Sequence, residues 1–330
     1  MKKETKLGRV VGPFNTPPLP GLQISRFGVI PKKSNDEWRL ILDLSHPEGF
    51  SVNDGIDPEA CHTRYCKVDN AVQLILSAGK GAQMAKLDIK SAYRILAVHP
   101  NDHYLLGMKW RDQFYVDLAL PFGLRSAPFI FNNVADMLEW ILRNNYGIQD
   151  IIHCLEDYFT VGPPVSDQCS RALATIKATC TRLRVPLAPE KCVGPTTCII
   201  FLGIELVSIE LCARLPSDKL TELRGLITTW FGKRSCTRRE LESLVGKLQH
   251  ASAVVRPERM FLRRIFAALR RLRLHHHYYR LSRECKLDIA WWNELLTHWN
   301  GVSFFDPRHP HFIRRVWQIG LRSVPSQRMV

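Results

Sequence analysis

Long apolar runs are missing from this sequence. None reaches the roughly 18 residues that a membrane-spanning helix needs, and the opening Met1-Lys2-Lys3-Glu4-Thr5-Lys6 lacks the apolar segment of a secretory signal. The expectation is an intracellular chain, cytoplasmic or nuclear, with no membrane partner. Paired cysteine spacing is missing as well. Ten cysteines are scattered along 330 residues, a length that does not need disulfide staples. Cys61-His62-Thr63-Arg64-Tyr65-Cys66 resembles half a zinc site, but no second ligand pair follows at a suitable distance. His275-His276-His277, beside Tyr278 and Tyr279, reads as an exposed basic corner. Acidic residues are few: 31 Asp and Glu against 46 Lys and Arg leave a formal charge of +15 and a pI near 9.5. That imbalance points to a polyanionic partner, nucleic acid before membrane. With 45% hydrophobic and 23% charged residues the chain is an ordinary folded protein with room for two or three subdomains.

The few carboxylates are placed in a telling way. Glu156 and Asp157 stand between Ile151-Ile152 and Tyr158-Phe159-Thr160-Val161. Apolar, β-prone residues on both sides of a short polar break predict a hairpin that lifts the two carboxylates to its tip. Adjacent like charges at a buried tip repel, and a divalent metal relieves them. A third carboxylate, Asp88, lies in the strand-like Met84-Ala85-Lys86-Leu87-Asp88-Ile89, where Leu87 and Ile89 flank it with apolar side chains.

Around these stretches the chain alternates strands and helices, an α+β pattern. The first twenty residues, with Pro13, Pro17, Pro18 and Pro20, read as an extended lead-in without a core of its own. Phe27–Lys33 and Trp38–Asp43 form a hairpin around a polar turn, with Lys32, Lys33 and Arg39 able to reach one polyphosphate. A helix is predicted around Val68–Ser77. Leu120-Pro121-Phe122-Gly123-Leu124-Arg125-Ser126-Ala127-Pro128 breaks a strand and starts a helix toward Leu142. Another helix covers roughly Gln168–Leu183, and Ile199–Ile204 reads as one strand.

From Pro216 the character changes to helices. Leu220, Leu223, Leu226, Ile227 and Trp230 share one helical face, and Thr237-Arg238-Arg239-Glu240 is a capping box opening the next helix. A third helix begins at Pro257, and a last one holds Trp291, Trp292, Leu295 and Trp299. Ser217–Cys285 carries sixteen Lys and Arg against six Asp and Glu, so ten of the fifteen excess charges lie there. That suits a grip on backbone phosphates. The tail from Gly301 is expected to be poorly ordered.

Taken together, the motifs resemble the reverse transcriptase domain of retroelements, most closely that of the tyrosine-recombinase retrotransposons called the DIRS class. The resemblance runs from about Ser25 to Phe305. It rests on Trp38-Arg39, on Leu87-Asp88-Ile89-Lys90-Ser91-Ala92-Tyr93-Arg94, on Pro121–Pro128, on the acidic hairpin, on Pro189-Glu190-Lys191-Cys192 and on Phe201-Leu202-Gly203, in that order. It implies a right-hand polymerase fold: lead 1–20, fingers 21–80, palm 81–215 with 95–120 returning to the fingers, a basic helical thumb 216–299 and the tail 300–330. It implies RNA-directed DNA polymerase activity, adding dNTPs to a DNA primer on an RNA template with two Mg²⁺ or Mn²⁺ ions. Other retroelement-encoded proteins are further partners.

By the same resemblance Asp88, Glu156 and Asp157 are catalytic and hold the metals, helped by the Ile89 carbonyl. Lys32, Lys33, Arg39, Tyr93, Gly123 and Lys191 contact the nucleotide, Tyr93 as the gate against a ribose 2′-OH and Gly123 as a close backbone approach. Phe201, Leu202 and Gly203 form a primer grip, and Arg238, Arg239, Lys247, Arg263 and Arg264 hold nucleic acid. One departure stands out. The family's hairpin reads aromatic–x–Asp–Asp, and here it is Cys154-Leu155-Glu156-Asp157. The extra methylene of Glu156 moves a carboxylate by on the order of 1 Å, which can lower a rate on the order of a hundredfold. Weak polymerase activity, or a catalytically dead nucleic-acid-binding protein of the same descent, is the expected range. A ribonuclease H domain is expected to be absent, since the 31 residues after Trp299 carry only Asp306 as a carboxylate; a fragment of a longer polyprotein or a decayed copy fits that.

Overall fold

In chain order the elements are α1 (Lys2–Lys6), β1 (Val10–Phe14), β2 (Ile24–Pro31), β3 (Trp38–Asp43), α2 (Val68–Ala78) and β4 (Gln83–Asp88). Next come β5 (Gly107–Trp110), β6 (Gln113–Asp117), α3 (Ala127–Tyr146), β7 (Ile151–Cys154), β8 (Asp157–Gly162) and α4 (Gln168–Arg182). Then follow β9 (Val193–Thr196), β10 (Cys198–Phe201), β11 (Ile204–Val207), β12 (Cys212–Arg214), α5 (Ser217–Phe231) and β13 (Ser235–Thr237). The last are α6 (Arg238–Ala251), α7 (Glu258–Arg271), β14 (Tyr278–Arg280), α8 (Arg283–His298), β15 (Val302–Phe305) and β16 (Ile313–Arg314). The computed structural model describes residues 2–31, 38–255, 258–272, 278–305 and 313–314. Lys32, Lys33, the turn between β2 and β3, His275–His277 and most of the tail lie outside the described residues.

The chain divides into two compact units. The first comprises Met1–Cys66, Lys86–Phe159 and Arg171–Cys192. Its largest sheet runs β1–β6–β5–β2–β3, antiparallel except where β2 meets β5. Val10, Leu42, Leu44, Val52, Leu106, Met108 and Tyr115 form the core under it. The expectation of a lead-in without a core is corrected here: Val10 is buried, and β1 pairs with β6 from Val10 opposite Asp117 to Phe14 opposite Phe114. Pro13 sits in an edge strand, where proline's missing N–H does no harm. Glu4 on α1 also reaches the buried Arg94, which forms a two-pronged ion pair with Asp117 at 2.8 Å. β7 lies beside β8 and β8 beside β4, and Asp157–Phe159 of β8 and Lys86–Asp88 of β4 belong to this unit.

The second unit comprises Lys67–Ala85, Thr160–Ser170 and Val193–Val330. Its sheet runs β10–β11–β12–β15–β16, so the start of the tail is corrected from disorder to strand: Val302–Phe305 pairs with β12. The single strand expected over Ile199–Ile204 is a hairpin instead. Leu202 and Gly203 take left-handed φ of +48° and +75°, and β10 turns back into β11 with Phe201 opposite Ile204. In the helical part α5 packs on α8, α8 on α7, and α7 on α6. The capping box opens α6 as read from the sequence, with the Glu240 backbone N–H donating to the Thr237 hydroxyl and the Thr237 N–H donating to the Glu240 carboxylate at 2.7 Å. Trp299 ends α8 as its C-cap and is not part of the helix.

Candidate active site

The end of β4 is fixed from both sides by its backbone. The Ile89 N–H donates to the Glu156 carbonyl at 2.9 Å, and the Ala188 N–H donates to the Asp88 carbonyl at 2.9 Å. The Lys90 N–H donates to Pro186 at 2.8 Å. These bonds bring Asp88 to the adjacent Glu156 and Asp157, far from it in sequence. The hairpin tip is a two-residue turn in which Leu155 takes φ +52°, a conformation that costs a leucine about 1–2 kcal/mol. The turn is held by α3. Tyr158 donates its hydroxyl to the Ala135 carbonyl at 2.8 Å, His153 sits 2.6 Å from Glu139, and Arg143 binds both Glu139 and the Ile151 carbonyl.

Both acids of the hairpin are raised by burial first and then by the charge of Asp88. Burial pushes Asp157 up to about 6, and the charges of Asp88 and Glu156 add to the rise. Burial also raises Glu156, with a contribution from Asp88 and opposition from Lys191 and Arg39. Burial pulls Lys191 down, but its hydrogen bond to Asp88 carries it above its ordinary value. That bond, Lys191 Nζ to Asp88 Oδ2, is 2.9 Å. Among the described residues no three acidic or metal-binding side chains stand in caging geometry. The Lys191 ammonium takes a cation's place against Asp88. The donors are nonetheless all carboxylate oxygens in mutual repulsion, which is the chemistry a hard divalent ion fits.

Tyr93 stands beside this cluster. Its ring packs at 5.2 Å on Phe122 and 5.6 Å on Phe131, and the Arg39 guanidinium lies 4.6 Å over Phe122. Burial pushes the Tyr93 hydroxyl up to about 12, with the Glu156 charge next in size. Gly123 has φ +108°, and a Cβ there would overlap the Leu42 carbonyl oxygen. The close approach of β3 therefore by itself requires glycine at this position.

Asn53 was not singled out from the sequence, yet it is buried and locks this loop. Its amide donates to Ser45 at 2.8 Å and to the Gly123 carbonyl at 2.9 Å, and its oxygen accepts from the Arg125 N–H at 2.8 Å. The available signal was local: Ser51 and Asp54 make a capping box around it.

In the second unit Phe201 is buried, and Lys219 and His250 close over the Leu202–Gly203 turn. Lys219 Nζ donates to the Gly203 carbonyl at 3.1 Å, and His250 Nε2 lies 3.3 Å from the Leu202 carbonyl. The five basic residues expected to hold nucleic acid fare differently. Arg239 and Arg263 are exposed. Arg238 binds Glu242 and the Leu272 carbonyl, Lys247 binds Glu222 at 2.6 Å, and Arg264 faces the buried Asp288 at 3.6 Å.

A carboxylate pair at a hairpin turn, beside a third carboxylate at the end of the neighbouring strand, in an α+β frame, is what the resemblance to a right-hand polymerase implies. The comparisons agree. Over residues 30–206, more than half its length, the chain matches the family described as reverse transcriptase (RNA-dependent DNA polymerase), and it belongs to that family. Polyprotein P3 of Commelina yellow mottle virus is 27% identical over 184 residues, which make up 53% of this chain and 9% of the polyprotein. The foamy viral protease-reverse transcriptase, solved with an RNA/DNA hybrid, superposes with a TM-score of 0.63 at 15% identity, over 92% of this chain and 36% of that one. The same protein with double-stranded DNA gives 0.62 at 16% identity, over 96% and 57%. These solved structures share the fold, and the chain spans less than two thirds of each relative. No helix among the described residues is long and apolar enough to cross a membrane.

Proposed function

We propose that this chain extends the 3′ end of a DNA primer with dNTPs on an RNA template. The observation that carries the reading is the meeting of Asp88 with the Glu156-Asp157 turn, made by the 2.9 Å bond from Ile89 to Glu156 and felt in the raised Asp157. Two Mg²⁺ or Mn²⁺ ions bound there would supply charge neutralisation for the attacking and leaving oxygens. Asp88, Asp157 and Glu156 would hold them, with the Ile89 carbonyl assisting. The Tyr93 ring, wedged between Phe122 and Phe131, screens the sugar. Arg39, with Lys32 and Lys33, binds the triphosphate, and Lys191 exchanges its partner Asp88 for the departing pyrophosphate.

Phe201, Leu202 and Gly203 serve as the primer grip, and Arg239 and Arg263 lead the contacts of the basic helices with duplex backbone. In this reading fingers, palm and thumb follow the boundaries 21–80, 81–215 and 216–299. The order of motifs in the sequence supports an origin in a DIRS-type retrotransposon.

Primer extension on a homopolymeric RNA template tests the reading, with a metal-dependent signal in the parent and none in Asp88→Ala. Glu156→Asp is expected to raise the rate, by up to on the order of a hundredfold; equal rates for the two proteins would sink this account of the turn. A second reading, a polymerase-dead nucleic-acid-binding protein, is favoured by Glu156 itself and by the Lys191–Asp88 pair. It predicts salt-sensitive duplex binding with no extension signal in either the parent or Glu156→Asp.

A further inference from the structure

A cavity of about 520 Å³ opens at the C-terminal end of α4, lined by none of Asp88, Glu156 and Asp157. Its floor is apolar and includes Val185, Pro186, Leu187 and Pro189, and Lys177 and Arg184 bring two cationic side chains to it. No carboxylate lines it, and among the described residues neither cation is ion-paired. The volume lies in the range of small-ligand sites. An apolar floor under two positive charges is complementary to an anion with a flat apolar body.

The way α4 ends gives a second, independent sign. The Val185 N–H donates to Cys180 at 2.8 Å and the Arg184 N–H donates to Thr181 at 3.1 Å, the two bonds of a Schellman cap. The left-handed residue of such a cap is usually glycine, because a Cβ is strained there. Here it is Arg184, at φ +55°. A long cationic side chain occupies the position where glycine would fold better, and it lines the cavity. The wall of this cavity is also the strand-like segment that backs Asp88. Pro186 accepts from Lys90, Leu187 bridges Ile89, and Ala188 donates to the Asp88 carbonyl.

We infer that the cavity between Lys177, Arg184 and the Val185–Pro189 segment binds a mononucleotide-like anion, its phosphate on the two cations and its ring on the prolines. Occupancy tightens the backbone bonds that hold Asp88. The inference does not depend on the polymerase reading.

The test is a fluorescence titration of the full chain with etheno-AMP, in EDTA so that metal-dependent binding is silent. The expected result is saturable binding, weakened at least about tenfold, or about 1.4 kcal/mol, by Lys177→Glu and by Arg184→Gly. Arg184→Gly should melt at or above the parent temperature, and Asp88→Ala should bind the probe as the parent does. Amide hydrogen exchange at Lys90 and Ala188 should slow when the probe is bound. A titration that never saturates, or parent-like binding by Arg184→Gly, overturns the inference. So does loss of binding in Asp88→Ala, which would put the probe at the carboxylates. An Arg184→Gly protein that melts below the parent would make the arginine structural and also overturn it. Unchanged exchange at Lys90 and Ala188 would refute the coupling to Asp88.

Discussion

Two hairpin turns in this chain share a backbone and differ in everything that hangs on it. Each places a leucine in the left-handed region, Leu155 at φ +52° and Leu202 at φ +48°. The next residue is Glu156 in one and Gly203 in the other. The first turn gathers negative charge, with Asp88 and Asp157 around Glu156 and Asp157 raised to about 6. The second carries one positive charge, Lys219, with His250 held neutral beside it, and both converge on Gly203 so closely that a Cβ would run into them. In each case a strained leucine stands beside charge, three carboxylates at the first turn and the Lys219 ammonium at the second. A turn crowded with carboxylates suits cations, and one that holds the Lys219 ammonium suits phosphate.

The largest expected effect separates chemistry from grip. Asp157→Asn should bring primer extension to background while leaving duplex affinity within about twofold. Lys219→Gln should do the reverse, leaving the maximal rate in place, weakening binding, and reducing the salt slope of binding by about one. If Lys219→Gln stopped extension at saturating duplex, the division of labour between the turns would be wrong.

The two turns were not equally legible in the sequence. Glu156 and Asp157 announced the first, because a charged pair between β-prone runs marks a break, which falls at Leu155-Glu156 with Asp157 opening β8. Leu202 and Gly203 sit between Ile199-Ile200-Phe201 and Ile204, so Ile199–Ile204 read as one strand and the reversal at Leu202-Gly203 was hidden. Helix signals carried well where they were local: the Thr237–Glu240 box and the Pro128 start of α3 fall where the residues put them. What failed was non-local. Val10 joins β6 across about a hundred residues, and Arg94 pairs with Asp117 and Glu4. Asn53 meets Gly123 through contacts that no window of neighbouring residues contains. At the site itself the three carboxylates were readable from spacing and family order, whereas the Lys191–Asp88 pair and the Leu42 carbonyl behind Gly123 needed coordinates.

A smaller effect sharpens the electrostatic side. A divalent cation should raise the melting temperature of the parent at pH 7.5, because it relieves repulsion among Asp88, Glu156 and Asp157. The rise should shrink as pH falls through about 6, where protons relieve the same repulsion. Differential scanning fluorimetry with and without Mn²⁺ measures it. An ion effect of equal size at pH 5 and pH 7.5, or one that survives in Asp157→Asn, would mean the cation acts elsewhere.

The smallest effect is the pH dependence of stability without any ion, and there the two turns should have opposite signs. Asp157 has a folded-state value raised from 3.8 to about 6, so between those limits the folded chain holds more protons than the unfolded one. Its contribution therefore stabilises as pH falls from about 6 toward 4. His250 is lowered from 6.5, first by burial and then by the Lys219 charge. The unfolded chain takes up that proton first, so stability is lost as pH falls through 6.5. Asp117, also raised to about 6 by burial against the pull of Arg94, adds to the acidic side in every variant and cancels when variants are compared with the parent. Denaturant unfolding at pH 7.5, 6 and 4.5 should then show Asp157→Asn losing part of the gain on acidification, and His250→Gln losing part of the loss. If both substitutions shifted the pH profile in the same direction, the charge contrast between the Leu155 and Leu202 turns would fail at its root.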